Sequence, residues 1–177
     1  MKLLMHTCCA PCSVACIDLL HQEGIEPVLF WYNPNIHPLL EHRQRKEALV
    51  EYAGRHALQL IDEGQYGLRD FVKAVCPDFD TRCAYCYTDR LEYTVRYASE
   101  NGYDAFTTTL LISPYQNHDL IVKTASRLAE QYKLLFLYRD FRPAFRESQQ
   151  KARQEQLYMQ KYCGCIFSEE ERYRSVK

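Results

Sequence analysis

The chain has 177 residues, a net charge of −1 and nine cysteines. This length suits one domain with its own hydrophobic core, and we expect a single domain over 1–177. The near-neutral charge neither suggests nor excludes nucleic acid as a partner. The cysteines are too few for a disulfide-built fold, their number is odd, and no secretory signal or membrane span is apparent. We therefore expect a cytoplasmic protein, without membrane association, whose cysteines serve chemistry.

Short runs typical of β-strands alternate along the chain with longer runs of helical periodicity. The predicted strands cover residues 2–6, 27–32, 58–61, 105–111 and 133–138. The predicted helices cover residues 13–23, 39–56, 71–75, 83–101 and 117–131, and the chain ends in further helices and a loop. Strands without strict apolar–polar alternation, separated by helices, are typical of a parallel sheet covered on both faces. The sequence therefore predicts an open, mostly parallel α/β sheet with helices on both faces, Rossmann-like and similar to the adenine nucleotide hydrolases.

Ligands of open α/β sheets bind outside the carboxyl ends of the strands. Two loops of this chain follow such ends, residues 7–12 and residues 112–117. Nucleotide-binding proteins often place glycine-rich phosphate loops there, but the six glycines form neither GxGxxG nor GxxxxGK[ST]. The first loop carries cysteines instead, which directs attention to thiol or metal chemistry.

The cysteines fall into three close groups and one isolated residue. The groups are Cys8, Cys9, Cys12 and Cys16, then Cys83 and Cys86, then Cys163 and Cys165, with Cys76 alone. Cys83 and Cys86 lie one turn apart at a predicted helix start, where both thiols face one way. The helix dipole at that end favours thiolates, which metal binding requires.

Cys8 and Cys9 are adjacent in a loop. We expect adjacent thiols to diverge too much for one tetrahedral ion but to suit two irons of one cluster. Structural zinc sites usually combine two CxxC motifs, whereas the candidate ligands form one such motif, at 83–86, beside the adjacent pair. The spacing therefore favours a cluster over zinc. Cys12, Cys16 and Cys76 are expected to pack in the structure or to have no role.

Cys163 and Cys165 are separated by a single glycine. A disulfide between them would close a small, strained ring, and strained disulfides tend to be labile or catalytic. The alternative is a pair of reduced loop thiols.

Residues 133–153 contain six basic side chains and two acidic ones. Such a stretch can face phosphates, and the interleaved Tyr138, Phe141 and Phe145 can stack on unpaired bases, as in many RNA-binding proteins. The alternatives are a solvated charged face and aromatic side chains that pack in the core.

Four motifs occur along the chain in a fixed order. They are HTCCAPC at 6–12, RCAYC at 82–86, TTTLLISPYQN at 107–117 and YCGC at 162–165. Together these motifs resemble the QueH family of epoxyqueuosine reductases, and the resemblance spans nearly the whole chain. It implies an enzyme of the last step of queuosine synthesis, which deoxygenates epoxyqueuosine at the wobble position of tRNA without cobalamin.

The resemblance also implies roles for six of the cysteines. Cys8, Cys9, Cys83 and Cys86 would bind a 4Fe-4S cluster, and Cys163 and Cys165 would be a redox-active pair. The family is further associated with an additional iron ion, for which Asp78, Asp80 and Asp89 are nearby candidates.

The partners that the resemblance implies are a tRNA anticodon loop carrying epoxyqueuosine and an electron donor that the sequence does not identify. No DNA partner is expected. The loop from Thr108 and Thr109 to Asn117 offers hydroxyls and amides suited to a diol or ribose, and Arg82 and Tyr115 are candidate contacts of the anticodon.

Two other classes of function stay open at this point. One is a zinc-stabilised RNA-binding module whose cysteines hold the fold and perform no redox step. The other is a thiol–disulfide oxidoreductase that uses Cys163 and Cys165 without a cluster. Both would be colourless, so metal content and visible absorption separate them from the cluster enzyme.

Overall fold

The computed structural model describes residues 1–174 and shows one parallel sheet with helices packed around it. The strands are β1 (Leu3–His6), β2 (Pro27–Trp31), β3 (Leu60–Asp62), β4 (Ala105–Thr108) and β5 (Leu135–Phe136). The α-helices of this range are α1 (Ala10–Gln22), α2 (Leu39–Arg55), α3 (Leu68–Val75), α4 (Arg82–Glu100), α5 (His118–Tyr132), α6 (Phe145–Gln154) and α7 (Ile166–Arg174). The predicted fold class is confirmed.

The order of the strands determines where along the sheet a ligand site can form. It is β3-β2-β1-β4-β5, with every neighbouring pair parallel. From β1 the chain moves outward to β2 and β3, and it then returns to the other side of β1 to form β4 and β5. The carboxyl ends of β1 and β4 therefore lie side by side while their connections run in opposite directions, which opens a crevice between them.

The central strand is buried on both faces. Leu3 and Met5 pack in the main hydrophobic core with residues of α1 such as Ile17, whereas Leu4 packs in a second cluster with Ala98 of α4. Successive side chains of a strand point to opposite faces, so this division places α1 and α4 on opposite sides of the sheet. Burial on both faces explains the nearly continuous apolar composition of β1.

Several boundaries differ from the predicted ones. β4 ends at Thr108 because residues 109–112 form a 3₁₀ turn, in which the Leu110 amide donates to the Thr108 hydroxyl. β5 is reduced to two residues. α1 begins at Ala10, three residues earlier than predicted, with Pro11 in its first turn, where its missing N–H has no partner to lose.

The C-terminal part of the chain returns to the carboxyl edge of the sheet. α6 packs against α1, and buried Ser148 connects the two helices: its hydroxyl donates to the Pro11 carbonyl and accepts from the Ala15 amide. The chain then passes through Gln160 to the Cys163–Cys165 segment. No helix within residues 1–174 is both long and apolar enough to cross a membrane.

Gly64, just after β3, lies close to the side chain of Trp31 in β2, and this contact gives a test of the packing. A Cβ added at Gly64 would lie 2.3 Å from Cδ1 of buried Trp31, whereas a Cβ at Gly54 of α2 would meet nothing within 4 Å. We expect Gly64→Ala to lower the free energy of unfolding by about 1–3 kcal/mol through overpacking. Gly54→Ala should raise it by about 0.5–1 kcal/mol, since alanine favours helix. Urea unfolding of both variants checks this, and equal effects would contradict the packing described.

Candidate active site

Three thiols meet where β1 passes into α1. The Sγ atoms of Cys8, Cys9 and Cys12 all lie within 4.8 Å of one another, and all three residues are buried. Cys8 Sγ and Cys9 Sγ are 3.7 Å apart, so the expectation that these adjacent thiols diverge is wrong. Cys9 is extended at the N-cap, and the first turn of α1 brings Cys12 back toward it. Cys12, expected to be a bystander, thus stands with the two candidate ligands.

The end of β4 supports this group from the neighbouring strand. The Cys8 amide donates to the Thr109 hydroxyl at 3.0 Å, and that hydroxyl donates to Cys8 Sγ at 3.3 Å. Thr108 Oγ1 lies 2.9 Å from Nδ1 of buried His6. Thr108 and Thr109 are both fully buried, so the prediction that they face a diol or ribose is wrong. They hold the cysteine loop instead.

The thiols of this group differ in how readily they lose a proton. Bonds from Cys12 and then Cys9 hold the pKa of Cys8 well below its usual range, and the Thr109 hydroxyl adds to this effect. Burial raises the pKa of Cys9 well above its usual range. Gln160 Nε2 donates to Cys9 Sγ at 2.9 Å and lies 3.5 Å from Cys12 Sγ. Of Cys8 and Cys9, Cys8 therefore loses its proton more readily when no metal is bound.

The second pair of candidate ligands lies at the start of α4. Cys83 is exposed, while Cys86 is buried in a small apolar cluster that also contains Cys165 and Phe71. Burial raises the pKa of Cys86 to about 12. The protein around Cys83 removes part of the water near its thiol and raises the pKa of Cys83 as well. The expected thiolate preference at the helix start is thus outweighed by the loss of water. Deprotonation of this pair needs a stronger partner, such as a metal.

A buried ion pair of α2 holds the Cys163–Cys165 segment. Arg45 Nη1 donates to the Cys163 carbonyl at 2.8 Å and Nη2 to the Tyr162 carbonyl at 3.0 Å. Arg45 Nε also donates to Glu41 Oε1 at 2.6 Å, and both side chains of this pair are at least nine-tenths buried. Because an arginine presents its donors in a rigid fork, this arrangement sets the position of two successive carbonyls.

His37 holds the same segment from the loop before α2. The His37 amide donates to the Gly164 carbonyl at 2.7 Å, and the Ile166 amide donates to His37 Nδ1 at 3.2 Å. Gly164 has a φ of +155°, and an added Cβ would lie 3.3 Å from Cγ1 of Ile36. The backbone conformation therefore favours glycine between the two cysteines, and an added Cβ would also be tight against Ile36.

The two cysteines of the segment occupy different surroundings. Cys163 is exposed toward a cavity, whereas Cys165 is buried beside Cys86. Solvent reaches Cys163 through the cavity, but the surrounding protein removes much of the water near its thiol and raises the pKa of Cys163 to about 11. The thiol is therefore protonated at neutral pH.

The cavity has a volume of about 510 Å³ and lies at the carboxyl edge of the sheet. Its lining combines thiols, cations, amides and aromatic rings, including Cys8, Cys9, Cys12, Cys163, Arg45, Lys161, Arg172, Gln116, Gln149, Gln160, Tyr115 and Phe145. Tyr115 is 87% exposed, and its ring meets that of Phe145 edge-on with centroids 5.8 Å apart. The volume is in the range of small-molecule sites.

Other predicted residues lie elsewhere. Arg82 forms an ion pair with Glu171 rather than standing free. Asp78 accepts a hydrogen bond from the Asp80 amide, and both residues are exposed in a 3₁₀ turn. Asp89 lines a separate, smaller cavity. These contacts give none of the three aspartates a role as an iron ligand, and that role stays a prediction.

Ion pairs engage three of the six basic side chains of the stretch 133–153. Arg139 pairs with Glu23, Arg142 with Asp140, and Lys151 with Asp18 and Glu147. Phe141 is 1% exposed and lies in the main core, so its predicted stacking on a base is wrong. Acidic residues distant in sequence supply much of the compensating charge, which a local count cannot detect.

Sequence reasoning missed three residues that contact the site cysteines. Arg45 and Gln160 come from segments distant from those cysteines and offer no local signal. Arg90 is different, because it follows Cys86 by four residues on the same helix. Its Nη2 donates to Cys86 Sγ at 3.1 Å and its Nε to the Cys86 carbonyl at 3.2 Å. The i, i+4 spacing was a usable signal.

Comparisons with known proteins show which family the chain resembles. The family model described as "Epoxyqueuosine reductase QueH" matches residues 3–171. A protein of that name from Dehalococcoides mccartyi is 38% identical over 172 residues, covering 97% of this chain and 94% of the relative. Its namesake from Thermotoga maritima is 34% identical over 175 residues, covering 93% of this chain and 88% of the relative.

The neutrality of His37 makes stability depend on pH. Burial, chiefly, lowers the pKa of His37 from 6.5 to about 4. Between these values the unfolded chain binds a proton that the folded protein does not, so stability falls as the pH drops through this window. We expect a loss on the order of 2 kcal/mol from this residue between about pH 7.5 and pH 4.5.

His37→Asn keeps an acceptor near the position of Nδ1 but cannot titrate, so its free energy of unfolding should vary less with pH than that of the wild type. His21→Asn, at an exposed histidine, serves as the control. Chemical unfolding at several pH values gives the slopes. A His37→Asn profile parallel to the wild type would contradict the buried neutral state.

Proposed function

This chain belongs to the QueH family, whose curated members are named epoxyqueuosine reductases, and we propose that it reduces epoxyqueuosine to queuosine at the wobble position of tRNA. The observation that supports this best is a cavity lined by Cys8, Cys9 and Cys163 together. A substrate in that cavity would contact both a candidate metal centre and a candidate redox thiol. The family places the enzyme among the oxidoreductases.

The proposed cofactor is a 4Fe-4S cluster bound by Cys8, Cys9, Cys83 and Cys86. Its ligand chemistry fits, because clusters of this type are held by four thiolates. The charge of the surroundings also fits: Arg90 is buried with Cys86 Sγ as its closest partner, so an anionic centre would compensate it. Such a cluster supplies single electrons at low potential when bound.

A second candidate for the metal has its own support. Cys8, Cys9 and Cys12 lie close enough to hold one ion between three thiolates, with Cys83 and Cys86 uninvolved. That arrangement corresponds to the zinc-stabilised RNA-binding module. The two candidates differ in which cysteine is needed, Cys83 or Cys12.

The reaction requires two electrons and two protons. Removal of the epoxide oxygen breaks both of its C–O bonds, forms the alkene and releases water. A dithiol that closes to a disulfide releases two electrons and two protons, so one closure of Cys163 and Cys165 balances one turnover. A cellular thiol reductant would then reopen the disulfide. Since Cys163 is a protonated thiol facing the cavity, it is placed to carry one of the protons.

Side chains at the cavity rim suit an anticodon loop. Tyr115 projects into solvent, where its ring can stack on a base next to the modified nucleoside. Lys161 and Arg172 line the same cavity and are exposed, so they can contact phosphates. We place the tRNA on this rim rather than on the stretch 133–153, where half of the basic side chains are already engaged in ion pairs.

Metal analysis of cysteine variants tests the cofactor. Wild-type protein purified without oxygen should be brown, with about four irons and as much sulfide per chain. Cys83→Ser should lose the cluster absorption because one ligand is gone, whereas Cys12→Ser and the exposed control Cys76→Ser should keep it. One zinc, lost in Cys12→Ser and kept in Cys83→Ser, would contradict the cluster and favour the zinc-stabilised module. Protein without metal would support the cluster-free oxidoreductase.

Turnover assays test the proposed redox pair. Cys163→Ser should keep the visible spectrum of the wild type but lose multiple turnover with a thiol reductant, because serine cannot form the disulfide. The assay follows conversion of epoxyqueuosine in tRNA by mass spectrometry of the released nucleosides, with Cys76→Ser as control. Normal multiple turnover in Cys163→Ser would rule out the proposed disulfide-forming step.

A further inference from the structure

Arg90 lies in α4 and is 2% exposed. A buried cation is unfavourable unless an anion or a full set of acceptors compensates it. Arg45, the other arginine buried to this degree, is neutralised by Glu41. Within residues 1–174, no carboxylate forms an ion pair with Arg90. The Asp89 carboxylate acts on Arg90 electrostatically but forms no ion pair with it, so the arginine needs a closer source of compensation.

The contacts of Arg90 identify that source. Its Nη2 donates to Cys86 Sγ at 3.1 Å, its Nε donates to the Cys86 carbonyl at 3.2 Å, and its Nη1 lies 3.5 Å from Asn33 Oδ1. The two oxygens are neutral, so only the sulfur can carry negative charge. Cys8 and Cys163 are close enough that a negative charge on either sulfur would act on the guanidinium as well. Arg90 thus lies near thiols of the cysteine loop, of α4 and of the Cys163–Cys165 segment.

We propose that Arg90 is the buried counter-charge of the cysteine-bound centre and makes that centre easier to reduce. This inference rests on the 4Fe-4S cluster proposed above. One-electron reduction of a cluster adds one negative charge and neither makes nor breaks a bond. A fixed positive charge in a medium of low dielectric constant stabilises the more negative state, and an N–H···S hydrogen bond to a ligand sulfur acts in the same direction.

The position of Arg90 on α4 suits this role. Cys86 and Arg90 lie one turn apart on a regular helix, so the guanidinium keeps its distance to the ligand sulfur through the backbone. The side-chain atoms that contact Arg90 are Cys86 Sγ and Asn33 Oδ1. Neither is a carboxylate oxygen, so neither competes with an anionic cluster for the guanidinium. Arg90 is a positioning residue by this argument, because it acts on the substrate only through the centre.

Redox titration of the loaded protein tests the proposal. The variants are Arg90→Met, which removes charge and donors at similar length, and Arg90→Lys, which keeps the charge but not the fork. Arg96→Met is the matched control, since Arg96 is an exposed cation on the same helix whose ring contact is with Tyr93. The cluster is titrated with dithionite and followed by electron paramagnetic resonance.

We expect the reduction equilibrium of Arg90→Met to be at least about tenfold less favourable than that of the wild type, a shift of about 59 mV to lower potential for one electron. Arg90→Lys should shift less, and Arg96→Met should match the wild type. An Arg90→Met cluster with wild-type potential would overturn the proposal. A wild-type protein that holds no cluster would instead overturn the proposed function, before any comparison of variants.

Unfolding of the metal-free proteins covers the case in which Arg90→Met binds no cluster. If Arg90 serves the cluster, the metal-free variant should be as stable as the metal-free wild type or more stable, because it no longer buries a charge without an ion-pair partner. Cluster loss together with unchanged or higher metal-free stability supports the proposal. Cluster loss together with lower metal-free stability shows a structural role and overturns it.

Discussion

β1 and β4 run side by side, with His6 level with Thr108, and the chain leaves their carboxyl ends in opposite directions along the sheet. Everything in the candidate site depends on this pairing. Because the two ends are adjacent, the Thr109 hydroxyl can bond both the amide and the sulfur of Cys8. The crevice that the reversal of strand order creates is the space in which thiols, cations and aromatic rings meet.

Burial governs the chemistry available to these thiols. Removal of water raises the pKa of Cys9, Cys86 and Cys163, so most of the site is neutral in the metal-free protein. A bound metal reverses this preference, because it replaces protons on sulfur with a stronger positive charge. The low dielectric constant that suppresses free thiolates also strengthens the field of Arg90 on a charged centre. The same surroundings therefore disfavour bare thiolates and suit a metal-bound anion.

The C-terminal part completes the site through contacts across long sequence separations. Ser148 attaches α6 to the start of α1, and from there the chain brings Gln160 to Cys9. Arg45 and His37 then hold the Cys163–Cys165 segment through its backbone. Backbone contacts leave the thiol of Cys163 free to face the cavity, which a redox cysteine requires. The segment is thus held firmly without loss of access to its reactive atom.

The sequence by itself determined the parallel α/β class, the helix that carries Cys83 and Cys86, and the family, because hydrophobic periodicity and short spacings are local properties of a chain. Arg90 also lay within reach of sequence reasoning, one turn after Cys86. Cys12 was likewise within reach, because it lies three residues after Cys9 and the first turn of α1 brings the two together. Only the tertiary structure decided that Thr108 and Thr109 are buried supports and that Arg139 and Lys151 pair with acidic residues of α1 and its end. These outcomes depend on burial and on partners distant in sequence. A thiol, a hydroxyl or a guanidinium takes its role from the neighbours that the fold supplies, and the residue type alone does not specify them.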